Sequence, residues 1–393
     1  MKQIRVGIIG QGRSGRNIHA AHLLRDTERY KIVAIADEIE DRRRRAAEEL
    51  QCETFHDYHD LFKKRDLDLI INATYSCWHP AVSIAVLEAG FNVLCEKPMA
   101  STVKDVDRMI AAGKKSGKLL AIFQQSRFAP ALQQILQLIE SGVLGRMVQI
   151  SIAYNGFGRR WDWQTLQKRW GGNLMNTGPH PLDQALYLFG EGMPDVRCYM
   201  DRTDNTLGDA EDYVKVILSG AQKPVIDIEI SSCCAYPSFT YNLQGTRGGL
   251  KGSATNLEWK YFKQEEAPRQ KLGEAPLVKS DGTPSYCSEE LKWHTGAWAF
   301  DSGKADNSTY VNSANDLMAA KGAPRASSDL FATMAASFYT MLYETLTEGK
   351  PLQVTPEQVR RQVAVFELCR AQNPHVYAPS PGVKAAARKA RRS

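Results

Sequence analysis

Apolar and polar positions along the first third of the chain alternate between two rhythms. Short apolar runs at 4–9, 31–36, 67–73, 92–95 and 119–123 have the length and residue types of buried strands. Between them lie segments of helical spacing at 17–24, 80–89 and 102–116, the last two stopped by Gly90 and Gly117. Strands alternating with helices predict a parallel sheet with right-handed crossovers. After residue 125 the pattern changes. A helix over 130–140 leads into a long strand at 148–154, and 161–190 mixes helical and loop character. Strand runs at 196–202, 213–218, 225–231, 238–244 and 257–262 then follow with no helix between them. Such an order predicts an antiparallel sheet. Residues 264–325 are polar and carry no clear period, and helices over 330–348 and 356–371 end the pattern. The expected fold class is therefore an α/β domain over 1–124, an α+β domain with a large open antiparallel sheet over 125–375, and a basic tail over 376–393.

The first strand runs straight into Gly10-Gln11-Gly12-Arg13-Ser14-Gly15, and a helix follows. GxGxxG alone is a weak signal, but strand, GxGxxG, helix, strand and acid together make a dinucleotide-binding signature. Gly10 permits the tight turn. Gly12 lets the backbone approach a pyrophosphate, and Gly15 lets helix and strand pack closely. Arg13 and Ser14 open the helix, whose N-terminus offers free N–H groups to phosphate. Asp37 ends the second strand, 22 residues after Gly15, where a carboxylate accepts ribose hydroxyls and repels a 2′-phosphate. The pattern predicts a Rossmann domain that favours NAD over NADP.

Composition narrows the class. Charged residues make up 24% and hydrophobic residues 43%, ordinary values for a water-soluble protein, so two domains with cores of their own are expected. The net charge of +6 is uneven, since Arg42 to Arg45 and the basic residues of 383–393 hold much of the excess. The four arginines sit amid Glu38, Glu40, Asp41, Glu48 and Glu49, which suits a solvated helix face. No basic face with interleaved aromatics indicates nucleic-acid binding. The eight cysteines show no CxxC and suit free thiols in a reducing compartment. No apolar run approaches membrane-spanning length, and residues 1–3 leave no room for a signal peptide, so a cytoplasmic location is expected.

Two clusters carry candidate chemistry. Glu96-Lys97-Pro98 follows the strand at 92–95, and ligands of open α/β sheets bind beyond the carboxyl ends of strands. Lys97 therefore points to the nicotinamide end of the crevice, and a cis peptide at Pro98 would fix its aim. Further on, a glycine pair, Gly171-Gly172, leads into Asn176 and the Pro179-His180-Pro181 triplet. Asn176 and His180 are four apart, so on a helix they share a face. A histidine titrates near neutral pH, as a general base must. The segment before it holds Trp161, Trp163 and Trp170 among polar groups that include Asp162, Gln164 and Lys168. Such a loop suits a pyranose wall, or equally a loop packed on the core or on another subunit. His56-Asp57-Tyr58-His59-Asp60 looks metal-like, but it lies on a connection before the strand at 67–73, away from the carboxyl ends. No metal is expected.

Taken in order, Gly10 to His19, Ala73-Thr74 with His79, Ala89-Gly90 through Glu96-Lys97-Pro98-Met99-Ala100, Arg127-Phe128, Ser141 to Gly145 and Gly171 to Asp183 resemble the glucose–fructose oxidoreductase / inositol dehydrogenase family. The resemblance covers nearly the whole chain. It implies an NAD(P)-dependent oxidoreductase whose open sheet makes homo-oligomer contacts. It implies catalytic roles for Lys97 and His180 and an active-site place for position 176. It also implies that Thr74, His79, Glu96 and Lys97 join the glycine loop and Asp37 at the cofactor. Arg127, Tyr154, Trp161, Trp163, Lys168, Asn176 and His180 form the candidate substrate side. Many members carry Asp where this chain has Asn176, which cannot relay a proton. Tyr75 replaces the common proline after Ala-Thr. The implied reaction is hydride transfer between nicotinamide and a secondary hydroxyl of a sugar, glycoside or cyclitol, with 3-position oxidation of glucosides by tightly bound, internally recycled NAD as one form. The alternatives are a redox-assisted glycosidase or lyase, which needs a further base, and a non-enzymatic NAD- or sugar-sensing regulator.

Overall fold

The computed structural model describes residues 2–203, 205–301 and 330–377. Six parallel strands form the first sheet: β1 (Ile4–Ile9), β2 (Tyr30–Ala36), β3 (Glu53–Phe55), β4 (Leu69–Asn72), β5 (Asn92–Cys95) and β6 (Leu120–Ile122), in the order β3-β2-β1-β4-β5-β6. The order reverses between β1 and β4, and a crevice opens at such a switch point. Gly10 and Ala73 face each other across it. A Cβ on Gly10, whose φ is +95°, would stand 2.5 Å from the Ala73 carbonyl oxygen. A Cβ on Gly15 would overlap the Gly10 carbonyl. Gly12 differs, because a Cβ there would meet only Arg42 Nη1, at 3.8 Å. The loop is closed on its protein side and open on its outer side, as a pyrophosphate requires.

The helix after this loop begins earlier than its apolar spacing suggests, and it is wider. Arg13–Ala20 is π-helical and passes into a single α turn, Ala21–Leu23. The wide coil carries two polar side chains inward. Arg16 makes a buried bidentate pair with Glu49 at 2.7 and 2.9 Å. His19 reaches Glu96 at 3.1 Å and the Tyr339 hydroxyl at 2.7 Å. Short β3 has no counterpart in the apolar pattern. Its presence moves His56 to Asp60 from a connection to the carboxyl end of a strand, and His56 there contacts Arg43. Among the described residues no group of His, Cys, Asp and Glu is arranged to hold a metal.

The second sheet has eight strands: β7 (Met147–Asn155), β8 (Asp195–Asp201), β9 (Tyr213–Ser219), β10 (Val225–Ser231), β11 (Tyr241–Gly245), β12 (Gly248–Gly252), β13 (Asn256–Tyr261) and β14 (His294–Ala299), in the order β14-β13-β12-β11-β7-β10-β9-β8. It is mixed, because β7 and β10 pair parallel while every other pair is antiparallel. The chain leaves β7 along the 156–194 connection, returns at the far edge in β8, and winds inward until β10 lies beside β7. That long connection carries most of the candidate substrate residues. β12 and β14 were not evident as strands. β12 holds three glycines, and a Cβ on Gly248 or Gly252 would run into β13. In β14 the Trp259 ring lies over Gly296, filling the space a side chain would take.

Two late helices tie the sheets together. Leu330–Glu348 buries Phe338, Tyr339 and Leu342 among Ile4, Tyr30 and Ile35 of the first sheet's core. Pro356–Gln372, opened by a capping box at Thr355 and Gln358, buries Val363, Phe366 and Cys369 in the core that contains Val196 and Ile228. No helix among the described residues is long and apolar enough to cross a membrane. The basic tail beyond residue 377 lies outside the described residues.

Candidate active site

Asp37 is buried at the end of β2. Its carboxylate accepts the Gln11 N–H at 2.7 Å and the Ile39 N–H at 2.9 Å. Arg42 Nη1 stands 3.5 Å away, and Arg43 donates to the Asp37 and Glu38 carbonyls. The four-arginine run is therefore only partly a solvated face. Arg44 pairs with Asp41 at the surface, Arg45 lies 4.0 Å from Glu49, and Arg42 and Arg43 lie against Asp37.

Asn72, the polar last residue of an otherwise apolar strand, organises the end of β4. Its amide donates to the His79 carbonyl at 3.1 Å and to Ser83 Oγ at 3.0 Å, and its oxygen accepts Thr74 Oγ1 at 2.7 Å. His79 is buried against the Pro98 carbonyl at 2.7 Å and the Thr74 carbonyl at 3.3 Å, and burial lowers its pKa. It braces the turn carrying Lys97, whose peptide to Pro98 is cis. Glu96 accepts the Lys97 N–H at 3.0 Å. Burial raises its pKa, but the hydrogen bond from His19 and the nearby positive charges outweigh this, holding the carboxyl down at about 2.

Lys97 Nζ donates to the Asn176 carbonyl at 2.9 Å, which leaves two of its three donors for a ligand. Burial lowers the lysine's pKa, and the charges of Arg13 and Arg160 lower it further, against the raising effect of Glu96. Asn176 ends the short helix Asn173–Asn176, and His180 lies in the first turn of Pro179–Phe189. Thr177 and Gly178 between them keep right-handed helical dihedrals, so the two site residues stand one turn apart. His180 is half-buried. Its pKa falls to about 3, first through burial and then through the Lys97 charge. The histidine range expected from sequence therefore does not apply. Its Nδ1 is buried with no hydrogen-bond partner, which suits an approaching ligand.

The residues at 159–170 frame this pair. Gln164 donates to Asn176 Oδ1 at 2.9 Å and also bonds Arg160. The Trp163 ring meets the Tyr75 ring edge-on at 5.0 Å. Trp161 is 77% exposed, so packing on the core does not explain it, and Lys168 is exposed as well. Arg127 is closed onto Asp183 at 2.7 and 2.8 Å, with its guanidinium over the Tyr187 ring. It braces the helix that carries His180 and presents no free edge to a substrate. The Tyr154 hydroxyl bonds Tyr241 and Gln184, and burial pushes its pKa up to about 12.

Sequence reasoning missed Asn72 and Glu211, and it named Gln164 only as a polar member of the tryptophan loop, not as the partner of Asn176. Glu211 is buried behind the glycine pair. A Cβ on Gly172 would collide with its carboxylate, which accepts the Leu174 N–H at 2.9 Å. Only a polar Glu-Asp pair ahead of the apolar β9 run hinted at it.

The open glycine loop, the lysine at the strand ends and the unpartnered imidazole fit a nicotinamide dinucleotide with a hydroxylated substrate beside it. This is the arrangement of a dinucleotide-dependent oxidoreductase. Residues 4–124 match the model of an oxidoreductase family with an NAD-binding Rossmann fold, and residues 132–251 match the C-terminal domain of the same family. The chain belongs to the Gfo/Idh/MocA family of oxidoreductases. It is 26% identical over 254 residues to inositol 2-dehydrogenase of Salmonella typhimurium, covering 64% of this chain and 73% of that one. It is 27% identical over 258 residues to 2,7-anhydro-N-acetylneuraminate hydratase of Mediterraneibacter gnavus, covering 64% and 67%. The fold matches the WlbA dehydrogenase of Bordetella pertussis, solved with NADH and UDP-GlcNAcA, with a TM-score of 0.71 at 20% identity over 95% and 96% of the two chains.

Proposed function

We propose that the protein oxidises, reversibly, a secondary hydroxyl on a sugar, glycoside or cyclitol ring with NAD. The observation that carries this reading is Lys97 beyond the open glycine loop, held on the Asn176 carbonyl one helical turn from His180, whose Nδ1 has no hydrogen-bond partner. Bound NAD supplies the two-electron acceptor at nicotinamide C4. The low pKa of His180 keeps the imidazole neutral, with a nitrogen lone pair open to the hydroxyl proton, but it also makes the imidazole a weak base, so proton removal leans on Lys97 to stabilise the alkoxide as hydride leaves the carbon. Lys97 stabilises the developing alkoxide with a charge-assisted hydrogen bond, and in reverse it polarises the ketone. Asn176 holds Lys97 through its carbonyl and has no charge with which to draw a proton from His180. Asp37 favours NAD over NADP. The polar open face of the second sheet suits contact with further copies of the chain, and the free cysteines suit a reducing cytoplasm.

The test is NADH absorbance on mixing the protein and NAD with a panel of aldoses, glycosides and inositols. At least one should generate NADH, and Lys97→Ala should abolish it. The relationship to a hydratase supports a second reading, in which oxidation is transient and assists an addition or elimination. That reading predicts product without net NADH. Absence of any NADH or product across the panel would favour a sensing role.

A further inference from the structure

Arg169 closes the short turn Gln167–Arg169 and reaches across to the turn Ser76–Trp78. Its guanidinium carbon lies 4.3 Å from the centre of the Tyr75 ring and 5.4 Å from that of Trp78. One terminal nitrogen is 3.9 Å from Cys77 Sγ. Among the described residues no carboxylate pairs with it, whereas neighbouring Arg160 is taken by Asp162 at 2.8 Å. A guanidinium stacked on an aromatic ring uses its face. Its five N–H donors lie in the plane and point outward at the edge, in the fork that matches a carboxylate or phosphate. Arg169 is half-buried, held by two rings, and has that edge uncommitted to any acid.

Its place connects it to the reacting groups. Tyr75 follows Thr74 directly at the carboxyl end of β4, and the Tyr75 ring that supports Arg169 also meets Trp163. Gln164, next to Trp163, holds Asn176, and Asn176 holds Lys97. Arg13 and Arg160 both act on Lys97 through their charges, but Asp162 pairs with Arg160 and Glu96 opposes them at Lys97, which leaves Arg169 as the arginine of this group with no carboxylate partner among the described residues.

We propose that the substrate is an anionic sugar, whose carboxylate or phosphate oxygens dock on the edge of Arg169 while its carbinol carbon lies at Lys97 and His180. This rests on the oxidoreductase reading above for the identity of the reacting group, but the anion site stands on the Arg169 geometry alone.

The test uses the full chain saturated with NADH and measures equilibrium binding by calorimetry. The probes are glucuronate, glucose 6-phosphate and their neutral counterpart, methyl glucoside. One of the two anions should bind at least about tenfold tighter than the neutral sugar, in the range of a charge-assisted hydrogen bond. Which anion gains more separates carboxylate from phosphate recognition. Arg169→Gln should bring the ratio of anionic to neutral affinity close to one, and Arg169→Lys should restore part of it. Equal affinity for charged and neutral sugars, binding of none of them, or a ratio unchanged in Arg169→Gln overturns the proposal. NADH formation with NAD is followed in parallel. Anion binding that depends on Arg169, with no NADH from these probes or from any sugar of the panel above, upholds the anion site and removes the dehydrogenase reading. NADH from the neutral sugar with no gain for either anion does the reverse.

Discussion

Lys97 and His180 stand close enough for the lysine charge to act on the imidazole, and their environments suit them to different work. Burial and the neighbouring lysine hold His180 at about 3, so it enters the reaction neutral. Lys97 is also weakened as a base but keeps Glu96 close enough to oppose the shift. The pH profile of kcat/KM for oxidation should therefore show no His180 inflection between pH 5 and 8, and an acid limb only near pH 3–4. An inflection near 6.5 that vanishes in His180→Asn would show the imidazole titrating as it does in water. Lys97→Ala should lower kcat by roughly two to four orders of magnitude, the range for an acid–base or electrostatic group, while NADH still binds by fluorescence titration. Asp37 offers a third measurement. Arg42 already stands 3.5 Å from its carboxylate, so Asp37→Ala alone removes the repulsion and leaves an arginine for a 2′-phosphate. The ratio of NADPH to NADH affinity should rise by about tenfold or more, and an unchanged ratio would move the cofactor determinant elsewhere.

At the scale of elements, the parts legible in the sequence are those whose side chains repeat with a period. The first, second, fourth, fifth and sixth strands of the parallel sheet and the helices at 130–140, 330–348 and 356–371 were evident from apolar spacing alone. Elements held by backbone proximity were not. β12 pairs through glycines, β14 hides its packing in Trp259 over Gly296, and β3 is too short to show alternation. Lys97 and His180 could be read because glycines and prolines announce their turns, whereas Gln164 could be read as a polar member of the tryptophan loop but not as the partner of Asn176, a contact found only on folding. That loop should act on substrate and not on cofactor. Trp163→Ala removes an edge-on contact with Tyr75, worth about 0.5–1.5 kcal/mol in such pairs, so KM for the sugar should rise by roughly three- to tenfold. The Kd for NADH should not move. A large fall in Tm with KM unchanged would mean that Trp163 only packs the loop.

For the whole molecule, buried titratable groups tie stability to pH in opposite directions. His22 and His180 lie at about 3, both chiefly through burial, and His79 is lowered for the same reason. The unfolded chain takes up these protons below about pH 6.5 and the folded chain does not, so stability falls as pH drops from there toward 3. Glu211 works the other way. Burial raises it to about 7, above its unfolded value of 4.5, despite the Leu174 N–H it accepts and the charge of Arg370. The folded chain keeps a proton that the unfolded chain releases, so this contribution is fully present below pH 4.5 and lost as pH rises through 7. Its location makes the effect global, because Glu211 joins β9's approach to the helix bearing Asn176 and to Tyr377 at the chain's far end. Glu211→Gln keeps an oxygen to accept the Leu174 N–H and removes the charge. Relative to the wild type, the variant should gain stability between pH 4.5 and pH 8 by roughly 3 kcal/mol, the linkage value of the shift. Urea unfolding of both proteins at pH 4.5, 6 and 8 measures this difference directly, with the histidine contributions cancelling. A difference constant across the three pH values would mean that Glu211 is ionised throughout and that its carboxylate is solvated or paired more fully than the buried geometry allows.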